Sequence, residues 1–301
     1  MRTYLEKEKK CETIFASYGP YWHAYTSGKD TPLLFVEESS YSLAMNIIAQ
    51  GASIFADVKI IAFEVMGNHF HFIFSGDETK IYMLWKYINK RLSRAIPLMR
   101  DIKLFLKSIN SLSSLRNNIV YTNRNGYVSN PSFTPFSYPW GTGRYYFLDW
   151  PSGKFFSDLL INEKRKMFRC RTPMLSSNWV VVNGYVLPCN YCFLDFGMAL
   201  FRDAHHYFSM ISKNVESYTE VALELDDVEF LTDNELYSRI SSYIRTDYCV
   251  SSIKDLTKAQ KYDLAKLIRR EYRASNAQIR RVLALTQYEI DTIFPLGSVV
   301  K

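Results

Sequence analysis

AFEVMGNHFHFIFSGD, residues 62–77, is the stretch that decides the fold. The apolar run DVKIIAFEVM (57–66) predicts a strand, Gly67-Asn68 a tight turn, and HFHFIFS (69–75) the return strand of a hairpin. Residues two apart in a strand face the same side of the sheet. His69 and His71 therefore point together, while Phe70 and Phe72 point to the core. Two such imidazoles on an exposed sheet face can hold one divalent metal ion. They can equally be two solvent-facing histidines on a polar strand face.

Working outward, PYWHAYTS (20–27) reads as an aromatic strand, and ESSYSLAMNIIAQ (38–50) has apolar residues at helical spacing. Residues 78–96 form an amphipathic helix with Ile81, Leu84, Trp85, Ile88 and Leu92 on one face. Residues 103–123 also read as helical, in one or two pieces. The order strand–helix–strand–strand–helix predicts an α+β fold on an antiparallel sheet, ferredoxin-like in outline. SNPSFTPFSYPWGTGRYYF (129–147), rich in Pro, Gly and aromatics, predicts an ordered irregular segment. The expected domains are 1–148, a motif-free middle region 149–252, and a basic helical module 253–301.

The chain has 301 residues, 48% of them hydrophobic, and a net charge of +7. That is enough apolar material for a real core, and the charge leans toward a polyanionic partner. The N-terminal MRTYLEKEKK lacks the apolar core of a signal peptide, and no run of 18 apolar residues could span a bilayer. Five cysteines, an odd number, fit free thiols in a reducing cytoplasm. Cys189 and Cys192 have CxxC spacing, but no second pair completes a zinc site, so two half-buried thiols are expected.

Several segments agree in order and spacing with one family. Met66-Gly67-Asn68-His69-Phe70-His71 stands where that family reads Met-Pro-Asn-His-Val-His. Tyr121-Thr-Asn-Arg-Asn125-Gly126 stands where it reads Tyr-Ile-x-x-Asn-Pro. Ser137-Tyr138-Pro139-Trp140-Gly141-Thr142 and Trp22-His23-Ala24-Tyr25-Thr26-Ser27-Gly28 match further segments. Over residues 20–145 the chain resembles the HUH nucleases, and within them the single-tyrosine transposases associated with REP sequences. Gly67 for Pro, Asn-Gly for Asn-Pro, and the 97–120 interval are departures.

The resemblance implies an HUH nuclease core that cleaves single-stranded or hairpin DNA. It implies Tyr121 as nucleophile, giving a 5′-phosphotyrosine, and His69, His71 and Asn125 as ligands of Mg²⁺ or Mn²⁺. Tyr121 and Asn125, four residues apart, share one face of a helix. Tyr82, Tyr87 and Tyr127 are rival tyrosines. Arg116 and Arg124 flank Tyr121 as candidate phosphate contacts. Tyr138 and Trp140 are candidates for stacking on bases, although packing is the simpler role. A nucleoid-associated cytoplasmic protein, acting as monomer or homodimer, follows from the same resemblance.

Residues 254–281 hold nine Lys/Arg and three Asp/Glu, a local charge of +6 (9 − 3). LTKAQKYDLAKLIRREY (256–272) reads as a helix, and 274–294 as helix, turn, helix, with Ser275 and Thr286 as N-caps. This resembles a helix-turn-helix. The second helix (287–294) would enter the major groove with Gln287 and Tyr288 near bases and Arg280 and Arg281 on phosphates. Two other readings remain: a domesticated DNA-binding protein that keeps the fold without cleaving, and an interaction protein using the middle region.

Overall fold

The computed structural model describes residues 2–29, 31–129, 133–134, 136–213, 215–225, 231–272 and 274–294. It opens with helix α1 (Arg2–Ala16), then strand β1 (Tyr21–Tyr25), helix α2 (Glu38–Ile54), strands β2 (Lys59–Val65) and β3 (Phe70–Ser75), and helix α3 (Glu78–Leu92). Strand β4 (Phe105–Ile109) and helix α4 (Leu112–Ser129) follow. The strand order is β2-β3-β1-β4, and every neighbouring pair is antiparallel. The α+β class and the antiparallel sheet are as the sequence predicts; the fourth strand, β4, is not among the predicted ones. The connectivity is two split β-α-β units.

Local chemistry accounts for most of these elements. Asp77 caps α3, its side chain accepting from the Lys80 N–H at 3.1 Å. Ile81, Leu84, Trp85, Ile88 and Leu92 of α3 are buried as one stripe. On one sheet face Phe70, Phe72 and Phe74 stack along β3, and Phe70 meets Trp85 at 5.5 Å. The other face is covered by α4, which crosses β2 and β3. Every residue of β3 is therefore buried, and the expected exposed histidine face does not exist.

Two expectations near α4 are corrected. The 103–123 interval contains the edge strand β4, whose Leu106 pairs with Ala24; strand pairing outweighs a helical reading of so short a run. The helix begins at Leu112 and continues past Asn125-Gly126 to Ser129. Gly126 is required there by packing. A Cβ on it would lie 2.3 Å from the Tyr138 ring.

The chain divides into two compact units, Met1–Asp227 and Val228–Lys301. This boundary differs from those expected at 148 and 252. The middle region as far as α8 builds onto the first core. It contributes β5 (Lys154–Phe155), α5 (Ile161–Phe168), β6 (Val180–Val182), β7 (Tyr185–Val186), α6 (Leu194–Ala199), α7 (Ala204–Lys213) and α8 (Val215–Glu224). Strands β5-β6-β7 form a small antiparallel sheet. Strand β7 and helix α5 pack on α2, while α7 and α8 pack on α4.

The second unit holds α9 (Asp233–Asp247), α10 (Lys258–Tyr272), α11 (Asn276–Leu283) and α12 (Gln287–Ile293) around a core of Leu236, Ile240, Leu264, Ile268, Ile279 and Ile290. The predicted caps are present: Ser275 accepts from Gln278 N–H, and Thr286 from Glu289 N–H. Among the described residues no helix is long and apolar enough to cross a membrane.

Candidate functional site

The face of the sheet beneath α4 collects polar side chains. His71 on β3 is paired in register with Glu64 on β2 and Tyr25 on β1, so the three share that face. His23, two residues before Tyr25, shares it too. Helix α4 answers with Asn118, Tyr121, Thr122 and Asn125 at positions i, i+3, i+4 and i+7, all buried. The Tyr121 ring meets His71 edge-on at 5.5 Å and His23 at 6.0 Å. His69 precedes β3, and its ring centroid lies 4.9 Å from that of His71.

The site is closed. His71 is 0% exposed, His69 1%, Tyr121 3% and Asn125 4%. Gly28 presses on His69; a Cβ there would come within 2.9 Å of its Nδ1. His69 Nδ1 sits 2.7 Å from Asn68 Oδ1. His23 bridges the elements, with Nδ1 2.6 Å from Asn118 Oδ1 and Nε2 3.0 Å from His71 Nδ1. Glu64 Oε2 accepts the Gly126 N–H at 2.7 Å, while Oε1 has no hydrogen-bond partner among the described residues. Burial holds the Glu64 carboxyl well above the usual carboxylate range, and the Gly126 N–H offsets this only in part.

The structure thus brings Tyr121, His69 and His71 together, and sets Asn125 one turn beyond Tyr121 on the same helix. The Asn125 amide nitrogen is buried without a hydrogen-bond partner among the described residues. The two imidazoles and an amide oxygen are neutral donors that suit a divalent cation. No cluster of three or more His, Cys, Asp or Glu side chains among the described residues is placed to hold a metal, so any cation here would depend on the amide.

The two arginines beside Tyr121 are not surface groups. Arg116 is buried, donating through Nε to the Leu200 carbonyl at 2.6 Å and pairing with Glu8 at 2.6 Å. That pair fastens α1 to α4 and lowers the Glu8 pKa, chiefly through the hydrogen bond. Arg124 is 2% exposed, with Nε 3.4 Å from the Tyr127 hydroxyl. The expectation of phosphate contacts is corrected for both, because enclosed guanidinium groups present no face to a DNA backbone. Tyr138 and Trp140 pack rather than stack on bases: the Tyr138 hydroxyl donates to the Val65 carbonyl at 2.7 Å, and Trp140 stacks on Tyr41 at 5.2 Å.

In the second unit Arg280, Arg281, Gln287 and Tyr288 are all exposed, Tyr288 at 77%. Arg280 reaches Gln287 Oε1 at 3.3 Å, and Arg281 forms two hydrogen bonds to Asp233, at 2.6 and 3.0 Å. All five cysteines are free. Burial pushes the Cys189 thiol up to about 11, the opposite of an activated or zinc-binding thiolate. A cavity of about 730 Å³ opens elsewhere in the first unit, with Lys154, Lys166 and Arg169 at its rim and Leu43, Leu159 and Val181 at its floor. None of the Tyr121 cluster lines it.

Sequence reasoning missed His23, Asn118 and Glu64. Glu64 did carry a signal, being a lone charge in the apolar run IIAFEV. His23 carried none, since its partners come from a strand and a helix 48 and 95 residues away.

No protein-family model matches this chain, and no curated protein sequence matches it. Among solved structures, a REP-associated tyrosine transposase bound to a REP hairpin is similar at 14% identity and a TM-score of 0.35. The match covers 55% of this chain and 94% of that one. A likeness of that size decides nothing about this chain.

Proposed function

We propose that this protein cuts and rejoins DNA strands through Tyr121, as a single-tyrosine transposase of the HUH class. The observation that supports this best is the seating of the Tyr121 ring against two imidazoles on the floor of an antiparallel sheet. An ordinary phenol holds its proton at neutral pH and needs a neighbouring base to become a nucleophile. The Tyr121 oxygen attacks the scissile phosphorus, the P–O3′ bond breaks, and the released 3′-oxygen takes a proton. The phosphotyrosine keeps the ester's energy, so a later 3′-hydroxyl reverses the step without ATP.

His69, His71 and Asn125 would hold Mg²⁺ or Mn²⁺, whose charge, when bound, offsets the negative charge that builds on the phosphate. The second unit fits a helix-turn-helix. Helix α12 carries Gln287 and Tyr288 at its exposed N-terminal end for base edges, and Arg280 lies beside it for phosphate. A strand reaches Tyr121 only when α4 parts from the sheet.

That closure favours a second reading, a DNA-binding protein that keeps the fold without cleaving. The deciding experiment incubates the protein with Mn²⁺ or Mg²⁺ and labelled single-stranded and hairpin DNAs, with Tyr121→Phe alongside. A covalent adduct on a denaturing gel, lost in Tyr121→Phe, is expected. Tight binding with no adduct on any DNA would establish the second reading.

A further inference from the structure

The buried imidazoles are wired in one direction, and the wiring can be read atom by atom. Asn118 is fixed first. Its Nδ2 donates to the Ser114 carbonyl at 2.8 Å and lies 3.3 Å from Ser114 Oγ. The atom facing His23 Nδ1 is therefore Oδ1, which only accepts. His23 Nδ1 must carry the hydrogen, and in neutral His23 the lone pair sits on Nε2. That nitrogen is 3.0 Å from His71 Nδ1, so His71 Nδ1–H donates to it. His71 then has its lone pair on Nε2.

His69 reaches the same state by a separate route. Asn68 Nδ2 donates to the Gly28 and Thr31 carbonyls, both at 2.8 Å, so Oδ1 accepts from His69 Nδ1 at 2.7 Å. Both histidines of the HxH pair are thus held as the Nδ1–H tautomer. Free imidazole side chains in water favour the opposite one, with the hydrogen on Nε2.

We infer that His23 and Asn118 are positioning residues for His71, holding its ring in the Nδ1–H tautomer so that Nε2 is the nitrogen it offers to chemistry beside Tyr121. Partners that fix a histidine's far nitrogen in this way commonly matter 10–100-fold to the function of the near one. The tautomer assignment stands on geometry alone; its consequence for strand cleavage rests on the function proposed above.

The test uses the full chain labelled with ¹⁵N-histidine, at a pH where the histidines are neutral. Two-bond ¹H–¹⁵N spectra, assigned with His71→Gln and His69→Gln, report which nitrogen of each ring is protonated. Wild-type His71 and His69 are expected as Nδ1–H. In His23→Phe the His71 pattern should move toward Nε2–H while His69 stays, and Asn118→Asp, which keeps an acceptor, should preserve the wild-type pattern. The adduct rate should fall about 10–100-fold in His23→Phe and be retained in Asn118→Asp.

A wild-type His71 carrying its hydrogen on Nε2 overturns the inference, whether or not the variants fold. Equal adduct rates in wild type and a folded His23→Phe overturn the positioning role. The expected tautomers with no adduct on any DNA leave the wiring established and sink the strand-cleavage reading instead.

Discussion

The two units of this chain treat polar groups in opposite ways. In the first, His23, His69, His71, Glu64, Asn118 and Asn125 are buried between sheet and helix, and five of them are held by hydrogen bonds of 3.0 Å or less. Every buried polar or charged side chain of the described residues belongs to this unit. In the second, only apolar residues fill the core, and the polar groups lie on the surface. Buried polar groups are costly and have to be satisfied, so their orientation is fixed before any ligand arrives. Exposed ones cost little and adapt to whatever they meet. The first arrangement suits chemistry, and the second suits recognition of an extended partner.

The contrast breaks most readily where burial is tightest. Gly126→Ala forces a methyl group to within 2.3 Å of the Tyr138 ring. We expect a loss of about 3 kcal/mol or more from the first unit, read by chemical denaturation, with the second unit's helical signal unchanged. A variant as stable as wild type would mean the helix–sheet interface is slack.

Proton linkage sharpens the contrast next. Glu64 is held protonated above its ordinary 4.5 in the folded state. The unfolded chain therefore ionises first, and stability falls as pH rises above about 4.5. Glu64→Gln keeps an acceptor for the Gly126 N–H. Its advantage over wild type should be absent below pH 4.5 and grow above it. His206 acts at the other end. Burial, then the nearby Arg202 and Arg116, hold it down to about 4 against an ordinary 6.5. The unfolded chain takes the proton first, so stability drops as pH falls from 6.5 toward 4, and His206→Phe should flatten that slope. Melting curves across pH test both, and parallel slopes in wild type and variants would refute the assignment.

These differences explain what could be read from the sequence. The caps at Ser275 and Thr286, the Gly67-Asn68 turn and the stripe on α3 are local patterns, and each appears where expected. Strand β4 was hidden because FLKSI becomes a strand only by pairing with β1, some 80 residues earlier. Asn125-Gly126 lies inside α4 although that dipeptide is common at helix ends; its glycine answers to Tyr138, a contact that no local pattern encodes. The candidate site divides the same way. That His69 and His71 share a face was legible from alternation, and Tyr121 and Asn125 were singled out by the family resemblance, with helical spacing placing them on one face. The partners that orient and enclose them come from distant segments.

In the second unit single changes should be milder. Thr286 caps α12 through the Glu289 N–H, with Glu289 returning to the Thr286 N–H at 2.8 Å. Thr286→Ala should cost about 1 kcal/mol, measured by thermal unfolding of the full chain.

The smallest expected effect separates two adjacent arginines. Arg280 is exposed and, among the described residues, hydrogen-bonds to the neutral Gln287, whereas Arg281 is paired with Asp233. An exposed pair of this kind contributes about 0.2–1 kcal/mol, and a phosphate must overcome it to recruit Arg281. Arg280→Ala should therefore reduce the dependence of DNA affinity on salt by about one counterion. Arg281→Ala should reduce it less, and Asp233→Ala should raise affinity slightly at low salt by releasing Arg281. Salt titrations of binding to one duplex test the ordering. If Arg281→Ala lowers the slope as much as Arg280→Ala, the pair opens on DNA, and the second unit reshapes its charged surface in a way the first cannot.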